Sequence, residues 1–98
     1  MASFNISIEL RGEEDAAADY RRLRNKMSEH GFRHSVSDKT GTHFRLPRDE
    51  YTWSGYATRH EVLDKVYLIL VEFIPDPGVM VTEAAGRAWR GLKEIDLS

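Results

Sequence analysis

Residues 4–36 read FNISIELRGEEDAAADYRRLRNKMSEHGFRHSV, and their periodicities decide the fold. Phe4, Ile6, Ile8 and Leu10 alternate with Asn5, Ser7 and Glu9, the period of two expected of a strand with one buried face. After the acidic run Glu13-Glu14-Asp15, apolar residues recur at Ala16/Ala17, Tyr20, Leu23 and Met27. That spacing of three and four is the mark of an amphipathic helix. Carboxylates favour the positive end of the helix dipole, so the helix is expected to begin near Glu13 to Asp15. Gly31 stands where a left-handed residue would end it, with His30 in the last turn and Phe32 placed to pack back as the apolar partner of the cap. A second strand is expected over Phe32 to Ser37.

Further along the chain, Asp38-Lys39-Thr40-Gly41 has turn chemistry, and Thr42 to Leu46 should continue extended. Pro47 lacks an N–H and marks an edge, a bulge or a break in the ladder. Glu50 to Gly55 is rich in the strand formers Tyr51, Thr52 and Trp53 and predicts a third strand. Phe32 to Gly55 then reads as a hairpin with a long, irregular connection. Thr58-Arg59-His60-Glu61 is a capping box, so a second helix should start there. Val62, Val66, Ile69 and Phe73 share one face of it, beside Leu63 and Leu70. The run Val66 to Val71 is wholly apolar, and a strand over Val66 to Ile74 is the alternative. Pro75-Asp76-Pro77-Gly78 ends that element, and Val79 to Glu83 alternate as a fourth strand.

The expected order is strand, helix, strand, strand, helix, strand, the α+β ferredoxin-like βαββαβ arrangement. Right-handed crossovers would place both helices on one face of a single antiparallel sheet and leave the other face open. The tail, residues 85–98, is ambiguous. Trp89, Leu92 and Ile95 fall at helical spacing opposite Arg87, Arg90 and Lys93, while Gly86 and Gly91 weaken a helix by ~1 kcal/mol each. The tail is expected to fold over an edge or onto a partner chain.

Ninety-eight residues make one domain, with a core at about residues 3–84. A chain of this size buries roughly 60–65% of its unfolded surface, which leaves room for a stabilising dimer contact. A homodimer is expected on that ground, through the open sheet face and the Trp89 tail. The absence of cysteine excludes disulfides and thiolate metal sites and suits a reducing cytoplasm. The start has no cationic and apolar leader pattern, and no apolar run approaches the ~20 residues that span a bilayer, so a cytoplasmic location without membrane attachment is expected. A net charge of −2 supplies no global field for nucleic acid, so such binding would need a local basic patch. Arginine outnumbers lysine ten to four, which suits bidentate contacts to carboxylate or phosphate.

Few patterns carry chemistry. His30, His34, His43 and His60 are scattered, and the expectation is surface histidines. A zinc site from His34, His43 and a carboxylate is conceivable, but structural zinc needs four converging ligands, and no metal or cofactor is expected. Glu9, Arg11, Glu13 and Glu14 can be read as a divalent-metal site or, more simply, as the helix start. Nucleophile-elbow, phosphate-loop and dinucleotide-binding glycine patterns are absent. The crowded span is Arg45, Arg48, Asp49, Glu50, Tyr51 and Trp53. Arginine with aromatic residues suits single-stranded nucleic acid, by phosphate pairing and base stacking. An arginine beside a carboxylate can also assist phosphodiester cleavage, the carboxylate as general base and the guanidinium against developing charge. The competing reading is that Tyr51, Trp53 and Gly55 alternate because one face of that strand is core or interface.

The whole pattern resembles the GhoS-type family of small ferredoxin-like proteins, the endoribonuclease antitoxins of type V toxin–antitoxin systems, distantly similar to VapD-like nucleases. The resemblance lies in the strand Phe4 to Leu10, in DYRRLRNKMSEHGF at residues 19–32, and in LPRDEYTWSG at residues 46–55. The helix from Thr58 and VMVTEA at residues 79–84 complete it. It implies RNA binding and, if the chain is an enzyme, endoribonuclease activity on messenger RNA. Arg45, Arg48, Asp49 and Glu50 would then be the catalytic cluster. Arg24 and Arg33 would grip phosphates, and Tyr51 and Trp53 would contact RNA. The alternative is a non-catalytic homodimeric module that binds a protein or RNA.

Overall fold

A computed structural model of the chain describes residues 1–11 and 16–96. The fold is α+β. The elements are β1 (Ala2–Glu9), α1 (Ala16–Glu29), β2 (Ser35–Ser37), β3 (His43–Arg45), β4 (Glu50–Gly55), α2 (Arg59–Leu70), β5 (Gly78–Glu83) and β6 (Glu94–Ile95). The start expected near Glu13 to Asp15 falls among residues outside the described ones, as does the Glu13–Glu14 metal reading.

β1 is the centre of the first sheet, with the order β4-β1-β5 and both pairings antiparallel. Its alternation does what the sequence demands: Phe4, Ile6 and Ile8 are buried. The same face carries Tyr51 and Trp53 of β4, opposite Ile6 and Phe4, and Val79 and Val81 of β5, opposite Ile8 and Ile6. Leu23 and Met27 of α1 join Val62, Val66, Ile69 and Leu70 of α2 against them in one core, so both helices cover this face. Each such buried aliphatic or aromatic side chain contributes roughly 1.5–3 kcal/mol of transfer free energy.

The helices end and begin as their sequences require. At the end of α1, Gly31 takes φ +86°, and its N–H donates to the Ser28 carbonyl at 3.0 Å. The Phe32 N–H donates to Met27 at 2.9 Å, and Phe32 and Met27 are both buried, so the paired hydrogen bonds and apolar clasp of a Schellman cap are complete. At the start of α2, Thr58 Oγ1 accepts from the Glu61 N–H at 3.1 Å, and Glu61 accepts from the Thr58 N–H at 2.9 Å. The open choice over Val66 to Ile74 is settled: α2 runs to Leu70, and the Ile74 N–H still donates to Leu70 at 2.8 Å. Packing decides it, because both Val66 and Leu70 must face the sheet while Tyr67 and Leu68 face away.

The single ferredoxin-like sheet with one open face is not what forms. β2, β3 and β6 make a second antiparallel sheet in the order β2-β3-β6. The expected hairpin between Phe32–Ser37 and Glu50–Gly55 is reduced to one bridge, Arg33 to Thr52, closed by two backbone hydrogen bonds of 2.9 and 2.8 Å. Beyond it β2 turns to β3, pairing Ser35 with Arg45 and Ser37 with His43. The reason lies in the Asp38 turn. Asp38 Oδ1 accepts from the Thr40 N–H at 2.9 Å, the Thr42 N–H at 3.0 Å and the Thr40 hydroxyl at 2.6 Å. That local set of bonds folds residues 35–45 on themselves before β4 is reached. The tail is not helical in its described part. It crosses the outer face of the first sheet, where Arg87 Nε donates to Asn5 Oδ1 at 2.7 Å, and it ends as β6 against β3. Trp89 packs on Phe44, with ring centroids 5.6 Å apart, within its own chain. Among the described residues no helix is long and apolar enough to cross a membrane.

Gly31 gives a direct test of the cap. An L-residue in the left-handed region is strained by roughly 1–2 kcal/mol. Gly31→Ala should therefore lower the melting temperature by about 4–12 °C in a domain of this size, without changing the fold seen by circular dichroism. An unchanged melting temperature would mean that α1 ends in some other way.

Candidate functional site

The site residues expected from sequence fall into two groups along β4, one at its start and one beside the Arg33–Thr52 bridge. The first group gathers at the start of β4, around His34 and Tyr51, whose ring centroids lie 5.1 Å apart. His34 Nδ1 lies 2.9 Å from the Glu50 carbonyl. A carbonyl only accepts, so Nδ1 carries the proton and Nε2 holds the lone pair of the neutral ring. Nε2 is buried and has no hydrogen-bond partner among the described residues, and the same holds for the Tyr51 hydroxyl. Burial holds the His34 pKa below its ordinary value. The hydrogen bond to Glu50 opposes that shift, and the positive charges of Arg24 and Arg45 add to it. Burial likewise pushes the Tyr51 phenol up to about 12, with Asp49 and Tyr20 acting in the same direction and Arg24 against it.

The charged residues at this end are exposed and loosely held. Arg48 lays its guanidinium 4.2 Å from the centre of the Tyr20 ring on α1. Glu50 accepts from the Ser7 hydroxyl at 3.3 Å, and the Asp49 carbonyl accepts from the Ile8 N–H at 2.9 Å. Arg24, Arg45, Asp49, Glu50 and Tyr51 thus converge on His34, the residue expected to be an ordinary surface histidine. A signal for it did exist. In an extended chain His34 shares the face of Phe32, two residues earlier, and Phe32 is buried. Tyr51, expected to stack on RNA, is 1% exposed and belongs to the core.

The second group borders the outer, polar face, Arg33 opposite Thr52 and Trp53 from the margin of the core. A cleft of 740 Å³ runs between the first sheet and the β2–β3 hairpin, with the tail along one side. Its walls carry Arg33, Lys39, His43, Arg87 and Trp89, the hydroxyls of Ser3, Ser35, Ser37, Thr52 and Ser54, and a wall contribution from Trp53. Three permanent cations face one carboxylate, Asp38. The Thr40 hydroxyl, and then the N–H groups of Thr42 and Thr40, hold the Asp38 carboxyl below its usual pKa, so it stays ionised and committed to the turn. Arg87 is positioned by Asn5 and by the Phe4 carbonyl at 3.4 Å. Trp53 is itself half-buried against Phe4 and Phe32, at centroid distances of 6.0 and 6.2 Å. A Cβ at Gly55 would overlap its indole, so that glycine fixes where the ring lies. Arg33 and Trp53, but not the other expected residues, border this cleft. Lys39, Arg87 and Trp89 were not expected to meet in one site, Trp89 being read as part of a dimer contact, because no local spacing links residue 39 to residues 87–89.

Among the described residues no three histidine or carboxylate side chains are grouped closely enough to hold a metal ion. The chain matches no known family model and no curated protein.

The His34–Tyr51 pair makes stability depend on pH in a defined direction. His34 titrates at 6.5 when unfolded and lower when folded, so its contribution is complete above pH 6.5 and is lost as pH falls through the folded value. Urea midpoints should decline from pH 7.5 to pH 5 more steeply for the wild type than for His34→Gln. Parallel declines would show that other groups carry the acid sensitivity. Tyr51→Phe removes an unpaired buried hydroxyl and should be neutral or stabilising by up to ~1 kcal/mol in urea unfolding, whereas a loss above ~1 kcal/mol would mean that the hydroxyl has a partner in solution.

Proposed function

We propose that the protein binds single-stranded RNA in the cleft on the outer face of its first sheet. The observation that carries this reading is the lining of that cleft: Arg33, Lys39 and Arg87 around a floor of serine and threonine hydroxyls, with Trp89 on its wall. The cations pair with phosphates, the hydroxyls bond to ribose and base edges, and an indole offers a stacking surface. Its size, 740 Å³, suits a few nucleotide units rather than a duplex. A chain of net charge −2 needs such a local concentration of cations, since its overall field repels nucleic acid.

The resemblance to GhoS-type antitoxins supports the same ligand. We read the first sheet as a ferredoxin-like sheet, with Arg33 at Thr52 as the remnant of its missing edge strand, extended to β5-β1-β4-Arg33. On that reading the second sheet and the tail are additions that wall the outer face into a cleft.

A cleavage reading rests on a different observation, the neutral imidazole of His34 amid Arg24, Arg45 and Asp49. Nε2 is the atom with the chemistry of a general base for a ribose hydroxyl, and the arginines are the groups that would meet the phosphodiester charge. Nε2 is buried, so RNA would have to displace neighbouring side chains to reach it. Binding in the cleft requires no such movement and is the reading favoured here.

Fluorescence anisotropy of a labelled oligoribonucleotide of ~10 nucleotides, titrated at several salt concentrations, tests binding. Three phosphate contacts predict a slope of log K against log salt of about −2. Arg33→Ala should weaken binding roughly fivefold and bring the slope to about −1.4. Arg48→Ala, on the other face, should leave both unchanged. Binding that is absent, or lost in Arg48→Ala but kept in Arg33→Ala, would refute the cleft as the RNA site. Intact RNA after incubation at high protein concentration, with and without divalent cations, would restrict the activity to binding.

A further inference from the structure

β5 is an edge strand, and its free edge has none of the usual protection. Among the described residues the sheet order β4-β1-β5 leaves one side of Gly78–Glu83 without a partner strand. Edge strands in soluble monomers are normally blunted by lysine, an internal proline or a bulge. GVMVTE contains none of these, and its sole charge sits at the end, on Glu83. Apolar side chains are exposed on both sides of this edge, Met80 on the outer face and Leu68, Tyr67 and Val71 on the helix side. Met80 is 63% exposed and Leu68 68%, with Tyr67 and Val71 each at 45%. Leu63, Tyr67 and Leu68 of α2, with the single carboxylate of Asp64, border a groove of 570 Å³ whose other wall is Pro77 and Val79.

We propose that a second copy of this chain pairs with this edge, antiparallel about a two-fold axis, joining two three-stranded sheets into one of six strands. The backbone fixes which registers are allowed. The Ala84 N–H donates to the Ser3 carbonyl at 2.8 Å, continuing the β1–β5 register by one residue. In an antiparallel ladder, residues whose N–H and C=O point toward a neighbour alternate with residues whose groups point away. Ala84, Thr82, Met80 and Gly78 therefore face β1, and Val79, Val81 and Glu83 present their N–H and C=O groups to the free edge. A two-fold partner must match these odd-numbered residues to one another.

Side chains then choose between the nearest registers. With Met80 on the axis, Val79 of each copy faces Val81 of the other on the helix side, and the two Met80 side chains meet on the outer side. The Val79–Val81 and Met80–Met80 contacts are apolar, Thr82 lies opposite Gly78, and Glu83 falls at the end of the pairing. With Val81 on the axis, Glu83 would oppose Val79 on the apolar side and lose hydration there without a cationic partner. The Met80-centred register is the one the edge is built for. It also brings the two α2 helices together across the axis, where Tyr67, Leu68 and Val71 cover their counterparts. A second copy is the occupant because the edge and the helix patch are each complementary to themselves. The outer-face cleft and the His34 cluster lie on other parts of the molecule and do not enter this interface.

Light scattering and disulfide trapping test the proposal together. At ~100 μM the wild type should show twice the chain mass of 11.3 kDa. Met80→Lys combined with Leu68→Glu should return it to 11.3 kDa with an unchanged circular dichroism spectrum, since both side chains are exposed in the monomer. The chain has no native cysteine, so Met80→Cys gives a clean cross-link test. In the proposed register the paired Cα atoms lie ~4.5 Å apart, within disulfide range, and mild oxidation should produce a covalent dimer on a non-reducing gel. Thr82→Cys would sit opposite Gly78, with its two copies ~13 Å apart, and should remain monomeric on the gel. A monomeric wild type, a dimer that survives the double substitution, or Thr82→Cys cross-linking as readily as Met80→Cys would each overturn the proposal.

Discussion

Everything in this molecule is referred to β1. Among the described residues it is the only strand with a hydrogen-bonded neighbour on both sides in the first sheet, and its Phe4, Ile6 and Ile8 lie under both helices. Its two ladders run from alternate residues: Ile8 bonds toward β4 through Asp49, and Ser3 bonds toward β5 through Ala84. That alternation sets which face each residue of β4 and β5 shows. A slip of one residue would turn Phe4, Ile6 and Ile8 outward and bring Asn5 and Ser7 into the core, which burial of polar groups forbids.

The two faces created by β1 carry different chemistry. The inner face is apolar and closed by α1 and α2, and its one polar intrusion is the pair His34 and Tyr51 at the start of β4. Both leave a polar atom unpaired, and both titrations shift in the direction that preserves the neutral form. The outer face is a field of serine, threonine and asparagine side chains. It is not left open. The tail lies over it through Arg87 and Asn5, and the second sheet stands beside it through the Arg33–Thr52 bridge. The cleft exists because a polar sheet face can hold a covering segment by hydrogen bonds without excluding water, which an apolar face cannot do.

The sequence made parts of both sites legible for local reasons. The crowding of Arg45, Arg48, Asp49 and Glu50 was visible, and their convergence near one end of β4 follows from a short loop. Arg24 joins them because helical spacing places it one turn after Tyr20. His34 was misjudged, because its partial burial depends on its packing against Tyr51 and Glu50 of β4, which no residue near 34 encodes beyond the alternation with Phe32. Arg87, Trp89 and Lys39 were invisible as a set, since their meeting is a product of the tail's path. Arg33 parts from His34 by strand alternation and the single Arg33–Thr52 bridge, whereas Trp53 shares the face of Tyr51 and borders the cleft from the margin of the core. Adjacent positions in an extended chain point to opposite faces.

By itself the sequence determined the elements that rest on near neighbours: the alternating β1, the helix closed by Gly31 and Phe32, and the helix opened by Thr58 and Glu61. Caps and periodicities act within a few residues, so they survive translation into structure. Only the tertiary structure decided that Val66 to Leu70 is helical, that β2 deserts β4 for β3 after one bridge, and that the tail is extended rather than helical. Each of those outcomes turns on a competition between partners distant in sequence. An apolar run takes the form that lets it face the sheet, a three-residue strand goes to the nearest edge its turn allows, and a tail with two glycines takes its hydrogen bonds from another strand instead of from itself.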